Sequence, residues 1–190
     1  MLAMDSQLQT VLIDICELLQ EHGPPFALVG GVAASLRGRL RATEDIDLIL
    51  LTDVDGALEL VDRLNGTAFQ PLFPEYERVV RSAYILALEH LPSAITLDLA
   101  IGTSGFEQQI IRRAATIPIA NLHVQVATAE DLILMKLLAS RPQDDQDIAG
   151  ILAVHGKSID WDYCESVARE LEEVIERELL LAVRSLREKS

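Results

Sequence analysis

An α+β fold is what this sequence predicts: a mixed β-sheet flanked by helices, followed by a C-terminal helical bundle. Three observations predict it. Strand-like segments alternate with helical periodicity as far as Ala127, every periodic segment after Thr128 is helical, and no repeat or low-complexity segment interrupts either part. The expected division is an α+β domain over residues 1–127 and a helical region packed on it over residues 128–190.

The elements follow in order. Leu8, Val11, Leu12, Ile15, Leu18 and Leu19 recur at helical spacing, and Gly23-Pro24-Pro25 ends that amphipathic helix. Phe26 to Val29 is a short apolar strand, Gly30-Gly31 a tight junction, and Val32 to Leu36 one or two helical turns. Asp45 to Leu51 is the next strand, and Gly56 to Leu64 a helix closed by Asn65-Gly66. The stretch from Gln70 to Arg78 carries no clear signal. Ala83 to Leu91 and Ala94 to Ile101 are strands joined at Pro92-Ser93, the pattern of an antiparallel hairpin. Ser104 and Glu107 form a capping box for a helix through Ala115, Leu122 to Val126 alternates as an edge strand, and Thr128 with Asp131 caps a helix through Ala139. Pro142 opens the next helix, which ends at His155-Gly156. Asp160 then caps a charged helical region, broken once at most, with pairs such as Glu165 and Arg169 at i,i+4.

Composition narrows the function classes. At 190 residues the chain can bury roughly 70% of its unfolded surface, so it folds without a disulfide or metal staple. Hydrophobic residues make up 49% and charged ones 24%, and no apolar run approaches the roughly 20 residues of a membrane span. A soluble, cytoplasmic protein is expected. The N-terminus lacks the basic start of a secretory signal, and Cys16 and Cys164 stand far apart, as reduced core thiols do. Lysine and arginine number 16 against 30 acids, so the net charge of −14 repels polyanions. RGRLRA, with Arg37, Arg39 and Arg41, is a local exception. His22, His90, His123 and His155 show no ligand spacing and read as surface or capping residues, and Ser104 in GTSG reads as a helix cap rather than a nucleophile.

The chemistry concentrates in TEDIDLIL. Residues two apart on a strand share a face about 7 Å apart, so Asp45 and Asp47 point together while Ile46, Leu48 and Leu50 face the core. Aspartate is depleted in strands and adjacent like charges repel, so the pair calls for a positive charge between them. ITLDLAI repeats the device: Asp98 stands opposite Leu97, Leu99 and Ile101. If the two strands are neighbours, three carboxylates converge and can hold one or two hard cations, Mg²⁺ rather than zinc. The structural alternatives are a solvated strand start for Asp45 and Asp47, and an arginine salt bridge for Asp98.

The run LVGGVAASLRGRLRATEDIDLIL resembles the signature of the nucleotidyltransferase superfamily, a Gly-Gly or Gly-Ser turn followed at short distance by Asp-x-Asp. ITLDLAI resembles its third-carboxylate strand, and ATAEDLILMKLLASRPQDDQDI resembles the helical segment of its minimal and AbiEii toxin-like branch. The resemblance covers Phe26 to Leu152 and implies a nucleotidyltransferase-like fold. It implies further that Asp45, Asp47 and Asp98 are the catalytic metal ligands and that Gly30, Gly31, Arg41, Thr43, Lys136 and Arg141 bind nucleotide. Asp144 and Asp147 complete an R-x-x-D-x-x-D segment. For Lys136 an ordinary helix lysine snorkelling off Leu132, Met135 and Leu138 is the bland alternative.

The expected function is Mg²⁺-dependent transfer of a nucleoside monophosphate from a nucleoside triphosphate, ATP foremost, to an unidentified acceptor, with a toxin–antitoxin component within that class. The alternative is an inactive nucleotide- or partner-binding module of the same fold. The acceptor stays open between a small molecule, a protein and tRNA, with the acidic charge leaning away from tRNA. A partner protein or a homodimer is compatible with the sequence, and a membrane is not expected.

Overall fold

The computed structural model describes residues 5–38 and 42–190. Chain contacts divide it into two compact units. One runs to Val32 and resumes from Ala42 to Ala127; the other takes Ala33 onward together with Thr128–Ser190.

The first unit is built on a seven-stranded mixed sheet. Helix α1 (Ser6–His22) starts where the Asp5 carboxylate accepts from the backbone N–H groups of Gln7 and Leu8. It buries Leu8, Val11, Leu12, Ile15 and Leu19 of the expected stripe and Cys16 besides, while Leu18 is half-buried. Strand β1 (Phe26–Val29) is buried throughout. Helix α2 (Gly30–Arg37) begins directly from it. Strand β2 (Asp45–Leu50) precedes helix α3 (Val54–Arg63), whose start is capped by Asp53.

The stretch without a sequence signal holds strand β3 (Phe69–Pro71) and helix α4 (Tyr76–Ala83). Tyr84, at φ 56°, ends that helix in the left-handed conformation, so Ala83 belongs to a helix and strand β4 runs only over Ile85–His90. The hairpin with strand β5 (Ile95–Ile101) forms as expected, antiparallel from Ile85 against Ala100 to His90 against Ile95. Helix α5 (Gly105–Arg113) opens on the Ser104–Glu107 capping box. It stops short of Ala115, which starts strand β6 (Ala115–Ile119), paired with strand β7 (Leu122–Val126). Pro118 explains the difference: it holds Ile117 extended and lacks a ladder donor, which suits an edge strand.

The strand order is β3-β4-β5-β2-β1-β7-β6. Leu122–Val126 is therefore not an edge, because β7 also pairs in parallel with β1. Ile46, Leu48, Leu50, Leu97, Leu99, Leu86 and Leu88 are fully buried on one set of alternating positions. His90 continues that set and is buried, with Nδ1 2.8 Å from the Ser93 hydroxyl and its ring 5.2 Å from Phe69. It is a core histidine and not a surface one.

The second unit is helical: the remainder of α2, then α6 (Ala129–Ala139), α7 (Asp144–His155), α8 (Trp161–Glu172) and α9 (Leu179–Lys189). Thr128 caps α6 and Asp160 caps α8 through their side chains. Gly38, after α2, lies so close to α7 that a Cβ would stand 2.7 Å from the Gly150 carbonyl carbon and the Ile151 nitrogen. Glu165 pairs not along its own helix but across to α9, 3.2 Å from Arg184 and 2.9 Å from Arg187. Among the described residues no helix is long and apolar enough to cross a membrane.

Both cysteines are buried free thiols, and burial pushes the Cys16 thiol up to about 12. Cys16 is expected to stay unreactive toward a thiol reagent at pH 8 in the native protein and to react at once in denaturant. Stopped-flow thiol titration with and without urea checks this; rapid native labelling at Cys16 contradicts the packing described.

Candidate functional site

The site begins with strand alternation. β2 pairs in parallel with β5 from Asp45 against Thr96 to Leu50 against Ile101, and this register sets Asp47 directly beside Asp98. Neighbouring strands lie about 4.8 Å apart, so Asp45, Asp47, Thr96 and Asp98 share one face of the sheet, opposite the buried leucines. Asp45 and Asp98 are exposed there and Asp47 is half-buried.

The row continues sideways. Glu89 of β4 lies against Thr96, and Gln70 of β3 against Glu89, so Gln70, Glu89, Thr96 and Asp45 form a polar line across four strands. The Gln70 amide donates to the Glu89 carboxylate at 3.3 Å. Sequence reasoning missed Gln70 and Glu89. The signal for Glu89 was there, since it alternates with Leu88 and His90 of the buried set; Gln70 sits in a three-residue strand too short to show a period.

Like charges of Asp45 and Asp98 meet on this face. Asp98 sits at the sheet surface, yet the surrounding protein raises its pKa above the ordinary carboxylate value, and the negative charge of Asp45 adds to the rise. Asp45 is steadied locally: the Thr43 hydroxyl donates to its Oδ1 at 2.9 Å. Among the described residues no group of three or more His, Cys, Asp or Glu side chains is arranged to hold a metal ion. The donor chemistry is nonetheless that of a hard cation. The face offers carboxylate oxygens at Asp45, Asp47 and Asp98, and the one histidine nearby in the strands, His90, points the other way.

Gly30 and Gly31 adjoin this face. Val29 pairs with Asp47, so the chain leaves β1 beside that carboxylate and enters α2 at once. Gly30 has φ +64°, and a Cβ on it would stand 1.7 Å from Asp47 Oδ2. Only glycine fits both the backbone and the space. The amides at the start of α2 provide the positive end of a helix.

Of the remaining nucleotide-binding candidates, Thr43 precedes β2, and Lys136 and Arg141 belong to the second unit. Arg41, with Arg39, falls outside the described residues. Arg37 is half-buried in the second unit; burial lowers its pKa, opposed by the charge of Glu130. Lys136, on α6, neither snorkels to the surface nor extends from it. It is 3% exposed, with Nζ 3.0 Å from Asp144 Oδ1 and 2.6 Å from Asp147 Oδ2. Arg141 is exposed and holds Asp144 from the other side, through its backbone N–H at 2.8 Å and its Nε at 3.2 Å. Burial pushes the Asp144 carboxyl up, but the Arg141 backbone and guanidinium together with the Lys136 ammonium outweigh it and hold the pKa below the ordinary value.

The family model described as nucleotidyltransferase of unknown function (DUF6036) matches residues 6–182, nearly the whole chain. The chain belongs to that family. Among solved structures it is similar to an antigenic nucleotidyltransferase-like protein from Paracoccidioides brasiliensis, at 19% identity and TM-score 0.59 over 82% of this chain and 78% of that one. It is similar also to the antibiotic-resistance factor ANT(2'')-Ia, at 19% identity and TM-score 0.56 over 96% and 94%. A third is the lincosamide antibiotic adenylyltransferase LnuA, at 14% identity and TM-score 0.53 over 80% and 98%. These likenesses establish the nucleotidyltransferase-like fold. No curated protein matches.

Two expectations follow from the geometry. Gly30→Ala is expected to lose about 1–2 kcal/mol to the left-handed backbone alone and more to the collision with Asp47. Urea unfolding should show the second part vanish in the Gly30→Ala/Asp47→Ala double variant; strict additivity contradicts the contact. Lys136→Met takes the shared ammonium away from two buried carboxylates and is expected to cost about 3–5 kcal/mol, recovered largely by adding Asp144→Asn and Asp147→Asn. Because the folded pKa of Asp144 is depressed, its contribution is present above the unfolded value of about 3.9 and disappears as pH falls through the folded one. The wild type should therefore lose more stability than Lys136→Met on acidification below about pH 4, read from unfolding midpoints across pH.

Proposed function

We propose that this member of the nucleotidyltransferase family catalyses Mg²⁺-dependent transfer of a nucleoside monophosphate from a nucleoside triphosphate, with ATP as the first candidate. The observation that carries the reading is the Asp47–Asp98 pairing between adjacent parallel strands, with Asp45 two residues along the same face. Burial, and after it the charge of Asp45, raises the pKa of Asp98, a perturbation of the kind that functional sites concentrate.

In this reading Asp45, Asp47 and Asp98 hold the divalent cations, which when bound neutralise charge on the triphosphate and favour departure of pyrophosphate. The backbone amides at Gly30 and Gly31 meet phosphate oxygens where helix α2 starts. The acceptor oxygen attacks the α-phosphorus; a new O–P bond forms, the bond to the β-phosphate oxygen breaks, and pyrophosphate leaves with the electron pair. Asp98, on the strand beside Asp47, is the carboxylate assigned to take the acceptor's proton. Lys136 and Arg141 are assigned to the integrity of α6 and α7, since Asp144 and Asp147 engage their charges.

The net charge of −14 supports a small-molecule or protein acceptor over tRNA. A toxin–antitoxin role rests on the resemblance of the Lys136 to Asp147 segment alone, and the same experiment reads it. The purified protein is incubated with Mg²⁺, a cell extract and each α-labelled triphosphate in turn, and label is followed into metabolites, protein and RNA. Transfer with pyrophosphate release, lost at least 100-fold in Asp47→Asn, is the expected outcome. Nucleotide binding without release identifies a non-catalytic module, and label on tRNA overturns the acceptor assignment.

A further inference from the structure

The bond from the Thr43 hydroxyl to Asp45 Oδ1, 2.9 Å long, joins the first residue of β2 to the residue two positions before it. Thr43 is half-buried although its neighbours Ala42, Glu44 and Asp45 are exposed. Its hydroxyl, in a bond at the protein surface, restrains the exposed Asp45 carboxylate. The restraint matters here because Asp45 stands on the same face as Asp47 and Asp98 and lies against Thr96 on the next strand. An aspartate at a strand entrance, repelled by the like charge of Asp98, would otherwise turn out toward water and lose its geometry.

We propose that Thr43 is a positioning residue for this site: its hydroxyl sets the Asp45 carboxylate for a divalent cation and does not itself touch the nucleotide. The inference rests on the functional reading above. Oδ1 accepts from Thr43 and Oδ2 stays available, since a carboxylate offers about four lone-pair sites. Threonine suits the task better than serine because its β-branch limits χ1, so the hydroxyl loses less freedom when it is fixed. A hydrogen bond to a charged group is worth enough to change cation affinity about tenfold.

The test measures Mn²⁺ binding to the nucleotide-free protein by the paramagnetic signal of the free ion. Thr43→Val, of similar shape without the donor, should weaken Mn²⁺ binding about tenfold, and Thr43→Ser should restore most of it. In an Asp45→Asn background Thr43→Val should cost nothing further, because its effect passes through Asp45. Nucleotide binding in EDTA should be equal in wild type and Thr43→Val. Should Thr43→Val fail to fold by circular dichroism, Thr43→Ala takes its place. Unchanged Mn²⁺ affinity in the variant overturns the inference alone, as does a loss of metal-free nucleotide binding that persists with Asp45→Asn. A wild-type protein that takes up no Mn²⁺ overturns the metal reading and this inference with it.

Discussion

The parallel register of β2 on β5 is the constraint from which the rest of the sheet domain follows. It aligns Ile46 with Leu97, Leu48 with Leu99 and Leu50 with Ile101, and in the same step Asp47 with Asp98. The core and the acidic face are two sides of one pairing. A slip of β2 by one residue would send Asp45 and Asp47 inward and Ile46, Leu48 and Leu50 out, so burial of those three side chains fixes where the aspartates stand. Hydrophobic energy on one face thus stabilises an electrostatically unfavourable arrangement on the other.

The close approach of β1 reinforces it. Val29 lies beside Asp47, and the chain turns into α2 with no intervening loop, so Gly30 packs against the Asp47 carboxylate. The same glycine that permits this turn sets the start of α2 against the Asp47 carboxylate. Backbone donors and side-chain carboxylates come next to one another because both are fixed to the ends of adjacent strands.

The helical unit handles its acids in the opposite way. Asp144 and Asp147 are nearly inaccessible and share the Lys136 ammonium, and the buried Asp131 accepts from the Thr128 hydroxyl at 2.8 Å and from the Tyr163 hydroxyl. Buried carboxylates that are compensated in this way lock helices to one another, α6 to α7 and α6 to α8. The contrast between the two units is chemical: compensated acids hold the helices in place, whereas Asp98 on the sheet has its pKa raised by burial and, after it, by the like charge of Asp45.

By itself the sequence determined the elements whose signals are local. The Ser104 capping box, the Thr128 and Asp160 caps, the β4–β5 hairpin and the opposed faces of DIDLIL and ITLDLAI were all readable, because caps and alternation depend on residues within one turn or one pleat. Only the tertiary structure decided what depends on pairing at a distance. It put β2 next to β5, made β6 the edge outside β7, turned Glu165 toward Arg184 and Arg187, and enclosed Lys136 between two aspartates. It also brought Glu89 and Gln70 onto the acidic face. Strand order and the partner of a charge are chosen by which burial leaves the fewest exposed apolar groups and uncompensated charges over the whole chain, and no local window contains that comparison.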